Sequence, residues 1–171
     1  MKENDNVWYA CYGSNLHADR FRYYIEGGLC PYNGVQYEGC GDRTTWTDSR
    51  IRRFPGDLYF ANVSGTWDGK GVAFYDPNGS GTVVMRLYRI TWGQLLQVQR
   101  QEGDHPMWYG RLVPLGTEQD GVPVYTFTSA QRGTPNPPAA AYLELIRDAL
   151  INECGLRKEA AETYLQAAAA R

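Results

Sequence analysis

The apolar positions of this chain fall into short runs that predict β-strands. Residues 6–12 form an apolar and aromatic run, which predicts a strand in the middle of a sheet. Residues 82–90 are rich in β-branched side chains and predict the clearest strand of the chain. Turn residues bound the other predicted strands, which cover residues 43–54, 57–63, 71–75, 107–115 and 122–128. The last two are joined by a glycine-containing loop and therefore predict a hairpin.

Helical spacing and capping residues predict four helices between and after these strands. Ser14 or Asn15 is placed to cap the first helix, and Thr91 is placed to cap the second. Gly155 separates the last two helices, where it would end the first of them as a C′ residue. The predicted helices cover residues 16–25, 92–101, 139–154 and 156–170.

The order of these elements indicates the fold class. Most predicted strands lie between residues 43 and 128 and do not alternate strictly with helices, which argues against a doubly wound parallel sheet. We therefore expect an α+β fold with a mixed, mostly antiparallel sheet that closes into a β-barrel with flanking helices. The 171 residues contain no internal repeat or interdomain linker, so the prediction is one domain over residues 1–171.

Composition and charge narrow the functional classes. Seventeen Lys and Arg face nineteen Asp and Glu, a formal charge of -2, so electrostatic binding to nucleic acid is not expected. No apolar run approaches the ~20 residues that span a bilayer, and the polar N-terminus does not resemble a secretion signal. The four cysteines form no Cys-x-x-Cys pair, which argues against a disulfide framework and predicts a reducing, cytoplasmic location. With only two histidines, no metal site is expected.

The turn between the first strand and the first helix is the first candidate for binding chemistry. Its residues 12–16 read Tyr-Gly-Ser-Asn-Leu, and Gly13 allows another group to approach the backbone closely. The N–H groups at a helix N-terminus attract a carboxylate, a phosphate or a developing oxyanion. The simpler alternative is a strand-to-helix turn in which Ser14 and Asn15 only cap the helix.

Glu102, followed by Gly103, is the second candidate. A carboxylate at a helix C-terminus meets the negative end of the helix dipole, which would raise its pKa and suit a general base. A surface glutamate beside a glycine stop is the simpler alternative. We expect the Glu102 side chain to point into the same cavity as residues 12–15.

Other residues carry weaker signals. Cys11 lies in an apolar strand and is expected to pack rather than react. Arg50 and Arg52 share one face of a strand and predict a solvated surface rather than a nucleic-acid patch. Ser14 lacks an evident base partner for serine-dependent hydrolysis.

Four motifs in register resemble the γ-glutamylcyclotransferase family, including its γ-glutamylamine cyclotransferase relatives. They are the Tyr-Gly-Ser-Asn-Leu turn at 12–16, Gln-Glu-Gly at 101–103, the stretch 66–73 and Pro-Asn-Pro-Pro at 135–138, followed by Tyr142 and by Gly-Leu at 155–156. The sequence departs from the family pattern at Met85, Gln99 and Phe127, where relatives often carry Gly, Asp and Tyr.

The resemblance implies a compact mixed β-barrel with flanking helices and a cofactor-independent reaction. A γ-glutamyl amide would be cleaved by its own α-amine, which releases 5-oxoproline and a free amine or amino acid. Glu102 would be the acid–base group. The residues that would bind the small-molecule substrate are Tyr9, Ala10, Cys11, Tyr12, Gly13, Ser14, Asn15, Leu16 and Tyr142. The alternative is a non-catalytic small-molecule binding domain with the same fold. The oligomeric state stays open, a homodimer included.

Overall fold

The computed structural model describes all 171 residues and contains nine strands and four α-helices. The strands are β1 (Asn6–Cys11), β2 (Gly28–Leu29), β3 (Gln36–Tyr37), β4 (Ser49–Pro55), β5 (Asp57–Ser64), β6 (Lys70–Asp76), β7 (Thr82–Thr91), β8 (Arg111–Thr117) and β9 (Pro123–Thr128). The helices are α1 (Ala18–Glu26), α2 (Trp92–Glu102), α3 (Ala140–Asn152) and α4 (Lys158–Ala169). None of the four helices is both long and apolar enough to cross a bilayer.

The main sheet has five strands in the order β4-β7-β1-β9-β8. Every neighbouring pair is antiparallel except β1 and β9, which run parallel. The expected α+β class and mixed, mostly antiparallel pairing are therefore confirmed. β1 lies in the centre of the sheet, and five of its six residues are buried, as its apolar run predicted.

The expected closure into a barrel is wrong, because no sheet closes on itself. The β5–β6 hairpin forms a separate two-stranded sheet. Where β6 meets β9, the Thr128 hydroxyl accepts from the Tyr75 N–H (3.1 Å) and donates to the Tyr75 carbonyl (2.8 Å). A side chain thus satisfies backbone groups that a continuous ladder would have used. The irregular segment 134–138 contacts both strands of the hairpin, β5 through the bridge between Ala61 and Pro135 and β6 through the bridge between Gly71 and Pro138.

The two helix N-termini near the start and middle of the chain differ in how well the sequence predicted them. Thr91 forms a reciprocal capping box with Gln94 at the start of α2, as expected for a good N-cap. The first helix begins later than predicted, because residues 14–16 form a single 3₁₀ turn and α1 begins at Ala18. Neither Ser14 nor Asn15 caps a helix with its side chain. The Asn15 side chain is therefore available for other contacts.

Loop segments account for the other differences from the predicted elements. Residues 43–48 precede β4 instead of belonging to it, and the short β2–β3 pair lies between α1 and β4, where no strand was predicted. The arginines of β4 lie on the surface, where Arg50 and Arg52 both donate to the Glu118 carboxylate. The Glu118 carboxylate thus balances part of the positive charge of these arginines. Their position at the surface agrees with the solvated strand face that their spacing predicted.

One hydrophobic core of 39 buried residues connects the main sheet, the hairpin and the helices. Aromatic rings supply much of it; Phe21 of α1 stacks on Tyr88 of β7 with ring centroids 4.2 Å apart. This packing attaches α1 to the main sheet beside the C-terminal end of β1. The turn that follows β1 is consequently held between a helix and two sheets.

Candidate functional site

A cavity of about 380 Å³ opens beside the turn that follows β1. Its walls come from this turn, from α1, from the end of α2, from the β5–β6 hairpin and from residues 33–37. Thirteen of its 24 lining residues are hydrophobic, and the polar ones include a single carboxylate, Glu102, and a single guanidinium, Arg20. A partly apolar cavity with a few convergent polar groups is typical of a small-molecule site.

The turn places backbone donors at the cavity wall. The Gly13 N–H has no hydrogen-bond acceptor in the structure, while the Gly13 carbonyl accepts from the Leu16 N–H at 3.0 Å. A Cβ on Gly13 would lie 3.2 Å from both the Tyr142 hydroxyl and the Ala73 Cβ, so a larger residue here would push these neighbours away by a few tenths of an ångström. The Tyr88 hydroxyl fixes the far side of the turn by donating to the Asn15 carbonyl at 2.8 Å.

Glu102 is the last residue of α2, and its side chain reaches this turn from the other side of the cavity. The Asn15 Nδ2 donates to the Glu102 Oε1 at 2.7 Å, although 87 positions separate the two residues. The chain leaves the helix at Gly103, whose φ of 104° suits glycine. The helix end thus aims the Glu102 carboxylate at the turn, as the sequence predicted.

The environment of the Glu102 carboxyl favours the neutral form of this group more than water does. Burial raises the pKa of the Glu102 carboxyl, and the Arg20 guanidinium, the Tyr24 phenol and the Asn15 amide oppose this rise. The sequence argument expected the raised pKa from the helix dipole, whereas the largest cause here is desolvation. A carboxyl with a raised pKa next to hydrogen-bond donors is suited to taking and returning a proton near neutral pH.

Tyr142, at the beginning of α3, closes the opposite wall. Its hydroxyl accepts a hydrogen bond from the Ala73 N–H at 3.0 Å, and its ring lies 4.9 Å from that of Trp67. Burial raises the pKa of Tyr142, so the phenol stays protonated and can donate to a ligand. Tyr12 is oriented away from this role, since its hydroxyl donates to the Phe127 carbonyl at 2.8 Å.

Comparisons with solved structures identify the fold. Among solved structures, a γ-glutamyl cyclotransferase superposes with a TM-score of 0.68 and covers 96% of this chain and 88% of its own, at 20% identity. The chain has the γ-glutamyl cyclotransferase fold. An uncharacterized protein from Homo sapiens has a TM-score of 0.67 at 21% identity, with coverage of 96% of this chain and 88% of its own. YkqA from Bacillus subtilis has a TM-score of 0.61 at 19% identity and covers 95% of this chain, which matches 54% of YkqA.

Sequence comparison gives a different name. Histone deacetylase 5 of Arabidopsis thaliana is 31% identical over 206 aligned residues, which include 97% of this chain. The chain spans 31% of the length of that curated relative. No protein-family model matches the chain.

On this cyclotransferase fold, most of the residues predicted to bind substrate lie together at the cavity. Ala10 and Leu16 do not line it; both side chains are completely buried in the core. The Leu16 carbonyl instead accepts from the Arg86 side chain at 3.1 Å. The predicted site residues that line the cavity are Tyr9, Cys11, Tyr12, Gly13, Ser14, Asn15, Glu102 and Tyr142.

The sequence argument missed the residues of α1 and the loops that complete the cyclotransferase-fold cavity. Arg20 and Tyr24 lie one turn apart on α1, among the residues of its buried face. The available signal was that Arg20 precedes the aromatic Tyr24 by four positions, which places both side chains on the same face of the helix. Tyr109 was missed as well; its hydroxyl donates to the Ala73 carbonyl at 2.9 Å, beside the hydrogen bond from Ala73 to Tyr142.

Cys11 lies in the cavity wall, in a buried environment. Burial raises the pKa of the Cys11 thiol well above its usual range, and the thiol donates to the Arg86 carbonyl. Cys11 thus has the environment of a packed cysteine rather than that of a nucleophile. The structure contains no group of three or more His, Cys, Asp or Glu side chains arranged to hold a metal ion.

Proposed function

We propose that this protein is a γ-glutamyl cyclotransferase that cleaves a γ-glutamyl amide by intramolecular attack of the substrate's α-amine. The products are 5-oxoproline and a free amine or amino acid. The observation that carries the proposal is the Glu102 carboxylate, with its raised pKa, in hydrogen-bond contact with the Gly13–Asn15 turn at the wall of the cavity. No cofactor takes part in the proposed reaction.

The proposed chemistry uses Glu102 twice. Its carboxylate accepts a proton from the substrate's α-ammonium, and the resulting amine attacks the γ-carbonyl carbon to form a C–N bond and a tetrahedral oxyanion. Glu102 then returns the proton to the amide nitrogen as the original C–N bond breaks. The ring nitrogen still carries a second proton from the α-ammonium, and this proton passes through the regenerated Glu102 carboxylate to the departing amine. The amine therefore leaves as an ammonium ion, the ring keeps one lactam N–H, and the step is balanced with one acid–base group.

The remaining cavity residues support this reaction by position. The unused Gly13 N–H is a donor available to the oxyanion or to a substrate carboxylate. Because nucleophile and electrophile belong to one molecule, folding the substrate into the reactive conformer supplies a large share of the rate enhancement. A volume of about 380 Å³ is at the small end of ligand cavities and suits a compact substrate of dipeptide size.

Deacetylation is not the function proposed here. This chain corresponds to 31% of the length of the protein named histone deacetylase, so that name need not describe the shared part.

The decisive test is turnover by Glu102→Gln. Glutamine keeps the size of the side chain and can still contact Asn15, but it cannot accept the proton. We expect 5-oxoproline release from a panel of γ-glutamyl compounds to fall about 10²–10⁴-fold, the usual contribution of a positioned acid–base group. Glu144→Gln is the matched control, because Glu144 is exposed on α3 and pairs only with Arg147.

Two results would contradict the proposal. A folded Glu102→Gln variant that releases 5-oxoproline at the parent rate would remove Glu102 from the mechanism. A parent protein that binds γ-glutamyl compounds but releases no 5-oxoproline from any of them would favour the non-catalytic binding domain.

A further inference from the structure

Arg20 is a buried charge that forms no salt bridge, although the Glu102 carboxylate lies near enough to interact with it electrostatically. Its side chain belongs to α1 and lines the cavity, yet the residue is only 3% exposed. No carboxylate lies within 4.0 Å of it, although arginines at the surface of this protein pair repeatedly with Asp and Glu. Removing an arginine from water is costly, and buried arginines are normally paired.

The hydrogen bonds of Arg20 leave much of its guanidinium unused. Its Nη2 donates to the phenol oxygens of Tyr37 at 2.8 Å and Tyr24 at 3.3 Å. Its Nε and Nη1 are buried and have no acceptor. A buried donor without a partner costs about 1–3 kcal/mol, and more when the donor is charged. The free protein therefore bears a cost that a suitable ligand would remove.

The guanidinium is nevertheless held in a defined place. It lies over the rings of Tyr24 and Tyr37, with its central carbon 4.9 Å and 5.0 Å from their centroids. Asn33 supports Tyr37 by donating to the same phenol oxygen at 2.9 Å. An arginine oriented by aromatic faces loses little further freedom when it binds a carboxylate with two parallel hydrogen bonds.

The unpaired groups of the cavity define the ligand that would satisfy them. Asn15 Oδ1 is a buried acceptor without a donor, and Arg20 supplies buried donors without an acceptor. Arg20 is also the only cation among the lining residues. A ligand with an N–H donor and a carboxylate complements both.

We propose that Arg20, held by Tyr24 and Tyr37, forms an anion subsite that binds a carboxylate of the γ-glutamyl compound. This inference rests on the proposed function for the identity of the compound, but its binding chemistry can be tested without turnover. The carboxylate has two sources in such compounds, the α-carboxylate of the glutamyl half or the carboxylate of a departing amino acid.

The test uses a pair of ligands that differ in one carboxylate, γ-glutamylalanine and γ-glutamylethylamine. Calorimetric titrations are made with the Glu102→Gln protein, which leaves the ligands intact, with and without Arg20→Met. We expect Arg20→Met to weaken binding of γ-glutamylalanine by about 10- to 150-fold, the value of a hydrogen bond to a charged group. Arg22→Met is the matched control, since Arg22 is exposed on the same helix and pairs only with Glu26.

The two ligands identify which carboxylate is bound. Equal weakening of both ligands by Arg20→Met assigns the subsite to the glutamyl α-carboxylate, because both carry it. Weakening of γ-glutamylalanine alone assigns it to the carboxylate of the leaving amino acid. Unchanged affinity for both ligands in a folded Arg20→Met variant overturns the inference.

Further measurements keep the inference separate from the proposed function and from a purely structural role. Arg20→Lys keeps the positive charge but lacks the planar guanidinium, and we expect its affinity to lie between those of Arg20→Met and the protein with Arg20. If Arg20→Met does not fold, Arg20→Lys takes its place in the titrations. If Arg20→Met changes only the pH profile of 5-oxoproline release and not affinity, Arg20 merely balances the charge of Glu102 and the subsite is wrong. If the parent binds carboxylates through Arg20 but releases no 5-oxoproline, the proposed function fails and the subsite stands.

Discussion

Replacement of Asn15 by leucine is expected to move the acidic limb of the activity profile to higher pH. In the parent, the Asn15 amide donates to the Glu102 carboxylate at 2.7 Å and to the Tyr9 hydroxyl at 3.3 Å. Leucine has a similar volume and no donor. The charged form of Glu102 therefore loses a hydrogen bond, whereas its protonated form loses much less.

The size of the shift follows from this bond. A hydrogen bond to a charged group contributes about 1.5–3 kcal/mol, and about 1.36 kcal/mol corresponds to one pH unit. We therefore expect the midpoint of the acidic limb of the kcat/KM profile to move to higher pH by about one to two pH units. Water that enters the cavity can replace part of the lost bond, which favours the lower end of this range. Activity should fall most below neutral pH, because there the variant holds Glu102 protonated.

The assay is the pH dependence of 5-oxoproline release, with kcat/KM measured for parent and variant across the acidic and neutral range. The control is Asn33→Leu, the same chemical change at the other end of the cavity, where the amide donates to Tyr37 and not to Glu102. Its acidic limb should coincide with that of the parent, whatever happens to its KM. An Asn15→Leu limb that also coincides with the parent would show that this hydrogen bond does not govern the proton held by Glu102.

Three further predictions follow from the structure. Because burial raises the pKa of Glu102 in the folded state, its contribution to stability is full below its unfolded pKa and is lost as pH rises through the folded pKa. Urea unfolding should therefore show Glu102→Gln gaining stability over the parent as pH rises above the unfolded pKa of about 4.3, and a difference that stays constant with pH would contradict this. Gly71→Ala would drive a Cβ into the Asn136 carbonyl oxygen and should cost about 1–3 kcal/mol or more in thermal unfolding, whereas Gly65→Ala, with no atom within 4 Å of its Cβ, should stay within about 0.5 kcal/mol of the parent. Release of 5-oxoproline should survive exhaustive dialysis against EDTA, and loss of activity that zinc or manganese restores would refute the metal-free chemistry.

Local patterns predicted the elements whose structure depends on neighbouring residues. The Thr91 cap and the hairpin of β8 and β9 both depend on residues a few positions apart. The placement of β1 followed from its continuous apolar run. These features depend only on backbone preferences and on the periodicity of apolar side chains, both of which can be read from the sequence.

Long-range packing accounts for what the sequence could not predict. The prediction of a closed barrel was wrong because the Thr128 side chain makes the hydrogen bonds with Tyr75 that strand pairing would have made. No local sequence pattern predicts that a side chain will replace a backbone partner in this way. The meeting of Glu102 with the Asn15 turn was expected from its helix-end position together with a family resemblance, and not from periodicity. Arg20 was missed because a charged residue on a helix is ordinarily assigned to the exposed face.

The central position of β1 also determines when the cavity can form. Its two neighbours in the sheet, β7 and β9, come from much later parts of the chain, and Tyr142 lies later still. The loop-closure entropy of these distant pairings must be overcome before the Gly13 turn faces Glu102, which is typical of slow, high-contact-order folding. No partly folded form that lacks β9 would hold the cavity. A ligand of this site would therefore stabilise the completely folded chain alone, and its binding would report the completion of folding.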